Sequence, residues 1–426
     1  MTNEHPSCAD FERAADFSRR RFLQGVAASG AGAVATTMFG DAVRQTAFGA
    51  TSGGNVLVVI SLRGGIDGLG MVVPHGDPAY YAARPRIGVA RGSLVAKDAM
   101  FGLHPAMKPL EWLYKNGELA AVHAVGLARP NRSHFLAMEE IEDADPGSSA
   151  RVGWVNRMIG LNGGTSASEA VHVNGTVVPT MLTGPQPTLS ATKLEGFKLP
   201  GATRPWADNR RAGLNTVWSK ATGPLGVAGR AALSVSSRLG PVADQTYRPQ
   251  NGVSYPGAWP SKELADALRD TAQLIRADVG AEIISVDYGS WDMHSEYGSE
   301  DVGQMQSMVT GFAQSVNAFL RDLGTLRSRV TVVTISEFGR RVTENGNRGL
   351  DHGWGNMMLL MGGGVRGGRY FGRWPGLQAS QLEDGDLTVT TDYRNVLGEV
   401  ITRRFSDRSI SKVFPGLSYR PLGVMK

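Results

Sequence analysis

Residues 55–68, NVLVVISLRGGIDG, decide the fold. The run from Asn55 to Leu62 is continuously apolar and rich in β-branched residues. It lacks the in-out alternation of a strand with one wet face, so it reads as a strand buried on both faces, as in a parallel sheet. Arg63-Gly64-Gly65-Ile66-Asp67-Gly68 then supplies a glycine-rich turn at its carboxyl end.

The rest of the chain repeats this pairing of buried strands with amphipathic helices. Pro105 to Lys115 places Met107, Leu110, Leu113 and Tyr114 at helical spacing, closes at Gly117 and leads into a strand over Leu119 to Val125. A further helix is predicted over Asn131 to Asp143, with Arg132, Ser133 and His134 in its first turn. Later come a helix over Lys262 to Ala277 with Ser261 as N-cap, a strand over Ala281 to Asp287, a helix over Met305 to Leu323 and a strand over Val330 to Ser336. A last strand, Met357 to Met361, follows a polar loop. Strands alternating with helices imply an α/β fold, a mostly parallel sheet covered by helices on both faces. Between about residues 160 and 260 the chain is dominated by Gly, Pro, Ser and Thr, with short apolar pieces such as Val171 to Val178. This stretch reads as an irregular insertion that caps the domain.

At the N-terminus, Ser18-Arg19-Arg20-Arg21-Phe22-Leu23 precedes a weakly apolar stretch from Gly25 to Phe39. This is the layout of a twin-arginine export signal. The stretch is too short and too polar to span a bilayer, which takes about 20 apolar residues. The reading is therefore a removable signal over 1–50, a domain over 51–426, the twin-arginine translocase as partner during export, a periplasmic or secreted destination and no stable membrane anchor. The single cysteine, Cys8, lies in the signal, so disulfide and thiol chemistry are excluded from the exported part.

Lysine and arginine number 44 against 39 acidic residues, and the first 49 residues hold five of each, so the excess of +5 belongs to the exported part. No run of five like charges occurs and aromatics do not interleave with basic clusters, which argues against nucleic acid as a partner. An anionic small-molecule or polymer ester remains compatible with this mild excess.

In such sheets ligands collect beyond the carboxyl ends of the strands. The residues there are strongly polar: Asp67 after the first strand, Asp292 and His294 in Trp291-Asp292-Met293-His294, Glu337 after the Val330 strand, and Asp351-His352 shortly before the last strand. Oxygen and nitrogen donors without sulfur suit a divalent metal, zinc or manganese first and calcium or magnesium as alternatives, as one or two ions. Plainer roles stand beside these: Asp67 as a turn residue, Asp292 and His294 as a solvated loop pair, Glu337 as a salt-bridge partner of a following arginine. His123, within an apolar strand, reads as a core residue.

The segments Gly64-Gly65-Ile66-Asp67-Gly68-Leu69, Arg132-Ser133-His134-Phe135, Ser290-Trp291-Asp292-Met293-His294, Ser336-Glu337-Phe338-Gly339-Arg340 and Asp351-His352-Gly353 carry a resemblance. In this order they resemble domain-of-unknown-function family 1501, bacterial proteins exported by the twin-arginine route. That family is similar to the alkaline phosphatase and sulfatase superfamily. The resemblance implies Asp67 as a ligand, Asp292 with His294 as two ligands of one metal, Glu337 as the carboxylate of a carboxylate-histidine pair, and His352 as a late histidine ligand. Phe338 stands where a second metal's histidine would be expected; alternatively Asp351-His352 is itself the paired motif. Ser133, at a helix start, matches the nucleophile's place. His134 would serve as general acid or bind an oxyanion with Arg132, and Arg340 and Arg341 would hold an anionic group.

The resulting expectation is an exported metal-dependent hydrolase of phosphate or sulfate esters, using Ser133 or a water as nucleophile. The alternatives are a non-catalytic envelope binding or assembly protein that keeps the fold, and a metal-free serine hydrolase, for which the Gly-x-Ser-x-Gly turn is missing.

Overall fold

Val56–Leu62 (β1) is buried along its whole length and lies inside a nine-stranded sheet. In the computed structural model, residues 54–161, 166–199 and 206–426 are described, and the predicted export signal lies outside them. The other strands of the sheet are Leu119–Gly126 (β2), Ala170–Val173 (β3), Leu189–Ala191 (β4), Ile283–Tyr288 (β5), Val330–Ile335 (β6), Asn356–Gly362 (β7), Arg369–Phe371 (β8) and Thr391–Asp392 (β9). Their spatial order is β8-β2-β7-β6-β1-β5-β3-β4, with β9 added to β2. β1 is parallel to both neighbours, with Leu57 opposite Ile283 and Val56 opposite Val330.

Side chains of β1 alternate between two cores, which is why the whole run had to be apolar. Val56, Val58, Ile60 and Leu62 face one; Leu57 and Val59 face the other. Helices His134–Asp143 (α1) and Trp154–Met158 (α2) cover the second face, together with Tyr393–Arg404 near the C-terminus. The first face is covered by Gly223–Ala243, Ser261–Ala277 and Gln304–Leu323, which follow Ala207–Ser219 in the chain. In chain order these four helices are α3 (Ala207–Ser219), α4 (Gly223–Ala243), α5 (Ser261–Ala277) and α6 (Gln304–Leu323), and Tyr393–Arg404 is α7. The predicted fold class, a mostly parallel sheet with helices on both faces, is the one observed.

Three elements differ from the sequence reading. Pro105–Leu110 is a 3₁₀ helix, and only Glu111–Lys115 is α-helical; Pro109 lacks the N–H that an α-helical turn needs. The stretch 160–260 is not irregular throughout: β3 and β4 extend the sheet, α4 buries Leu233, Val235 and Leu239, and α3 is a 13-residue helix. Gly and Pro within α4 and the polar surface of α3 mask the helical period that would have announced them. Finally, β7 runs antiparallel to both β6 and β2. No crossover helix separates β6 from β7, so the 336–355 loop turns back on the rim it starts from. The end of β6 and the beginning of β7 therefore share the rim at the carboxyl ends of β1 and β5.

Candidate metal centre

That rim is where the polar strand-end residues meet. Leaving β1, the chain turns through Gly64 and Gly65 at φ +110° and +61°. A Cβ on Gly64 would collide with the backbone of Trp291 and Asp292, and one on Gly65 with the Phe338 ring. Glycine is thus required for the close approach as well as for the left-handed backbone. The turn aims the Gly64 N–H at Glu337 Oε1, 2.8 Å away.

After β5, buried and exposed side chains alternate. Trp291 and Met293 are buried, and the Trp291 indole N–H donates to the Tyr288 carbonyl at 3.0 Å. This anchoring turns Asp292 and His294 outward. On the far side of β6, His352 is held beside Arg340 by an isolated antiparallel bridge. α1 begins with His134, Ser133 being its extended N-cap, so the predicted start at Asn131 moves three residues along.

Three imidazoles and one carboxylate converge here. His352 Nε2 lies 3.0 Å from His134 Nε2, 3.0 Å from His294 Nε2 and 3.2 Å from Asp292 Oδ1. Asp292 is also 3.0 Å from His294 Nε2 and 3.4 Å from His134 Nε2. Each ring is gripped from behind through Nδ1: His134 by Glu337 Oε1 at 2.9 Å, His294 by Asp351 Oδ1 at 3.0 Å, His352 by the Arg132 carbonyl at 2.9 Å. Those three partners can only accept, so each Nδ1 carries a proton, and a ring holding no second proton turns an Nε2 lone pair inward. Lone pairs 3.0 Å apart repel. A cation among them removes the conflict, and neighbouring donors of a tetrahedral zinc with bonds of about 2.0–2.1 Å are about 3.3 Å apart. The residues present therefore fit a divalent ion held by His134, Asp292 and His352, with His294 at the edge of the group, 3.0 Å from both Asp292 and His352. His134, Asp292 and His352 alone already form a compact ligand group.

Electrostatics agree with a cation at this point. Burial alone would lower the pKa of His134, yet Asp292 and Glu337 raise it to about 9. Burial raises Asp292, but the three surrounding imidazoles and the Arg340 charge outweigh it and hold the carboxylate far below its usual range. Glu337 is likewise lowered despite its burial, by His134 and backbone N–H groups.

The predicted site residues thus divide. His134, Asp292, His294 and His352 come together around one point. Glu337 and Asp351 stand behind them as acceptors, and Asn345 donates to Asp351 at 3.0 Å. The expectation of a ligand at Asp67 is corrected: its carboxylate takes two hydrogen bonds from the buried Arg84, at 2.6 and 2.9 Å, and one from the Tyr297 hydroxyl at 2.5 Å. An Arg84 buried without that partner would be an uncompensated charge, which is why Asp67 turns away. Arg340 is corrected as a substrate-binding residue too. It is buried and donates to the carbonyls of Gly64, Gly65 (2.5 Å) and Leu350 (3.0 Å) and to Asp292 (2.6 Å), so its planar fork is spent on holding the site loops. Arg132 pairs with Asp384 and Asp386. Ser133 is exposed and makes no side-chain cap. Phe338 is buried, its ring centroid 4.8 Å from those of both His134 and His352. An apolar wall fills the flank where a second ion's histidine would stand. Arg84, Tyr297 and Asn345 carried no signal in the sequence, since loop geometry and, for Tyr297, a partner 230 positions away bring each to its contact.

Comparison with known proteins gives the following. Residues 262–399 match the model of a family described as protein of unknown function (DUF1501). None of the curated proteins matches this chain. Among solved structures, the C-terminal periplasmic domain of EptC from Escherichia coli, in complex with Zn, is 11% identical with a TM-score of 0.33, covering 75% of this chain and 76% of that one. A protein in the alkaline phosphatase superfamily from Vibrio parahaemolyticus is 11% identical with a TM-score of 0.33, covering 78% and 66%. The soluble domain of lipooligosaccharide phosphoethanolamine transferase A from Neisseria meningitidis is 11% identical with a TM-score of 0.31, covering 77% and 84%. The architecture rests on the sheet described above rather than on these likenesses.

Proposed function

On the premise that this chain carries the signature of the DUF1501 family over residues 262–399, we propose that it is an exported, metal-dependent hydrolase of phosphate or sulfate esters. The observation that carries this reading is the convergence of three Nε2 lone pairs with Asp292, each ring fixed from behind by an acceptor. A divalent ion bound there would act as a Lewis acid toward an anionic ester oxygen.

The chain's own groups supply the rest. Glu337, Asp351 and the Arg132 carbonyl keep the imidazoles in the tautomer that offers Nε2. Phe338 excludes water from one flank. Ser133, adjacent to His134 at the start of α1, is the side-chain candidate for nucleophile, and a water is the other. Zinc and manganese suit this nitrogen-rich set best. The proposed route to the periplasm or exterior is the twin-arginine translocase, through the Arg19-Arg20 signal. No helix among the described residues is long and apolar enough to cross a membrane.

The test is metal analysis of the purified protein followed by a panel of aryl phosphates and sulfates, with Asp292→Ala as control. Bound ion and turnover that both disappear in Asp292→Ala support the hydrolase. A second reading, a non-catalytic envelope binding or assembly protein with a structural ion, is favoured by one observation: His294 stands 3.0 Å from both Asp292 and His352, where a fourth side-chain donor would close the set as in structural zinc sites. A stoichiometric ion with no turnover on any ester would select that reading.

A further inference from the structure

Two arginines whose main chains support the centre send their guanidinium groups to a single exposed carboxylate. Arg132 lends its main-chain carbonyl to His352, and the Arg341 N–H donates to the Asp351 carbonyl at 3.0 Å, so both arginines are tied to the loop that carries the site. Both side chains reach the antiparallel hairpin formed by Leu382–Glu383 and Asp386–Leu387. Its Asp384-Gly385 tip has φ of 50° and 81°, the backbone of a two-residue type I′ turn.

Asp386, whose side chain is wholly buried, braces the pair. It accepts from Arg132 Nε and Nη2 at 3.1 and 2.6 Å and lies 3.5 Å from Arg341 Nε. Asp384 fills the fork so formed. Its Oδ2 is 3.0 Å from Arg132 Nη2 and 3.5 Å from Arg341 Nη2, and its carbonyl accepts from Arg341 Nη1. The two aspartates differ in what they can give up. Asp386 cannot leave without exposing two arginines to an empty pocket, whereas the Asp384 side chain is 73% exposed and its ion pairs are screened by water.

We propose that the Arg132–Arg341 fork is an oxyanion subsite for phosphate or sulfate, and that Asp384 is its internal occupant, displaced when the anion binds. Planar guanidinium forks match tetrahedral oxyanions in geometry, and an anion of charge near two outcompetes a single exposed carboxylate. As part of a substrate site the fork rests on the hydrolase reading: it would select esters that carry a second anionic group beside the one at the metal. As an anion site it stands without that reading.

Titration of the purified full chain with inorganic phosphate, at constant ionic strength, tests it. Asp384→Ala should bind phosphate roughly two- to tenfold more tightly than the unaltered chain, the worth of two exposed ion pairs, with Asp384→Asn as the conservative check. Arg341→Ala should lose that binding in either background. The same titration in Asp292→Ala separates the fork from the ion. Binding that persists there but needs Arg341 supports the subsite, even if no ester is hydrolysed. Binding that vanishes with Asp292→Ala and survives Arg341→Ala places the anion on the metal alone and overturns the proposal, as does a phosphate affinity that Asp384→Ala leaves unchanged.

Discussion

Aspartates 67 and 292 are alike in the sequence, each following a strand, but opposite in setting. Asp292 is partly exposed and faces three imidazoles; Asp67 is buried against Arg84 and Tyr297. Asp292→Ala should abolish stoichiometric ion binding with little change in folding, as read by metal content and circular dichroism. Asp67→Asn should keep the ion and destabilise the fold by about 3–5 kcal/mol, because Arg84 would be left as an uncompensated buried charge; chemical denaturation measures this. A lost ion in Asp67→Asn with unchanged stability would sink the assignment. Glu337→Gln keeps the shape of the side chain yet weakens its grip on His134 Nδ1. Competition with a chelator should show ion affinity down by roughly 10–100-fold, the usual cost of losing such a support.

Among the elements, β7 matters most. Its reversal folds the 336–355 loop back onto the rim, so an ion held by His134, Asp292 and His352 would join the start of α1, the loop after β5 and the approach to β7. At a hundredfold excess over its dissociation constant, an ion should stabilise the chain by about 2.7 kcal/mol, or roughly 3–4 °C in melting temperature. Chelation should reverse that shift and speed hydrogen exchange in residues 290–294 and 345–352. An unchanged melting curve would count against a shared ion. Phe338 packs against two of the rings; if its apolar face excludes a second ion, native mass spectrometry should show one per chain in excess metal.

For the molecule as a whole, two buried histidines make stability fall in acid. Burial pushes His123 down to about 3, and it pushes His104 down to about 4 against the charges of Glu300 and Asp67. Their folded pKa values lie below the unfolded value of about 6.5, so the unfolded chain takes up protons first. The contribution is complete above pH 6.5 and is lost as pH falls through 4 and 3. Glu169 works in the opposite sense, since burial and Glu282 raise it to about 7. The His123 ring stacks on Phe101 at 4.0 Å, so His123→Phe suits the site sterically. The variant should flatten the fall in melting temperature between pH 6.5 and 4; parallel curves for the two proteins would refute this. Export is testable at the same scale: replacing Arg19 and Arg20 by lysine should leave the protein in the cytoplasm, as read by cell fractionation.

What the chain determined by itself is local. The apolar run at Val56–Leu62, the amphipathic faces of α5 and α6 and the glycines at 64 and 65 each follow from period and backbone sterics, and together they implied the parallel sheet and its polar rim. The strand-end position of Asp292, His294, Glu337 and His352 was legible for the same reason. The roles were not. Whether a carboxylate is a ligand, a support or a buried ion-pair partner depends on which distant group meets it. Glu337 supports His134 from 203 positions away, Arg84 claims Asp67, and Asp384 and Asp386 hold Arg132 across some 250 residues. Strand order and the reversal of β7 made those meetings. Packing of elements far apart in the chain decides them, and no local pattern records it.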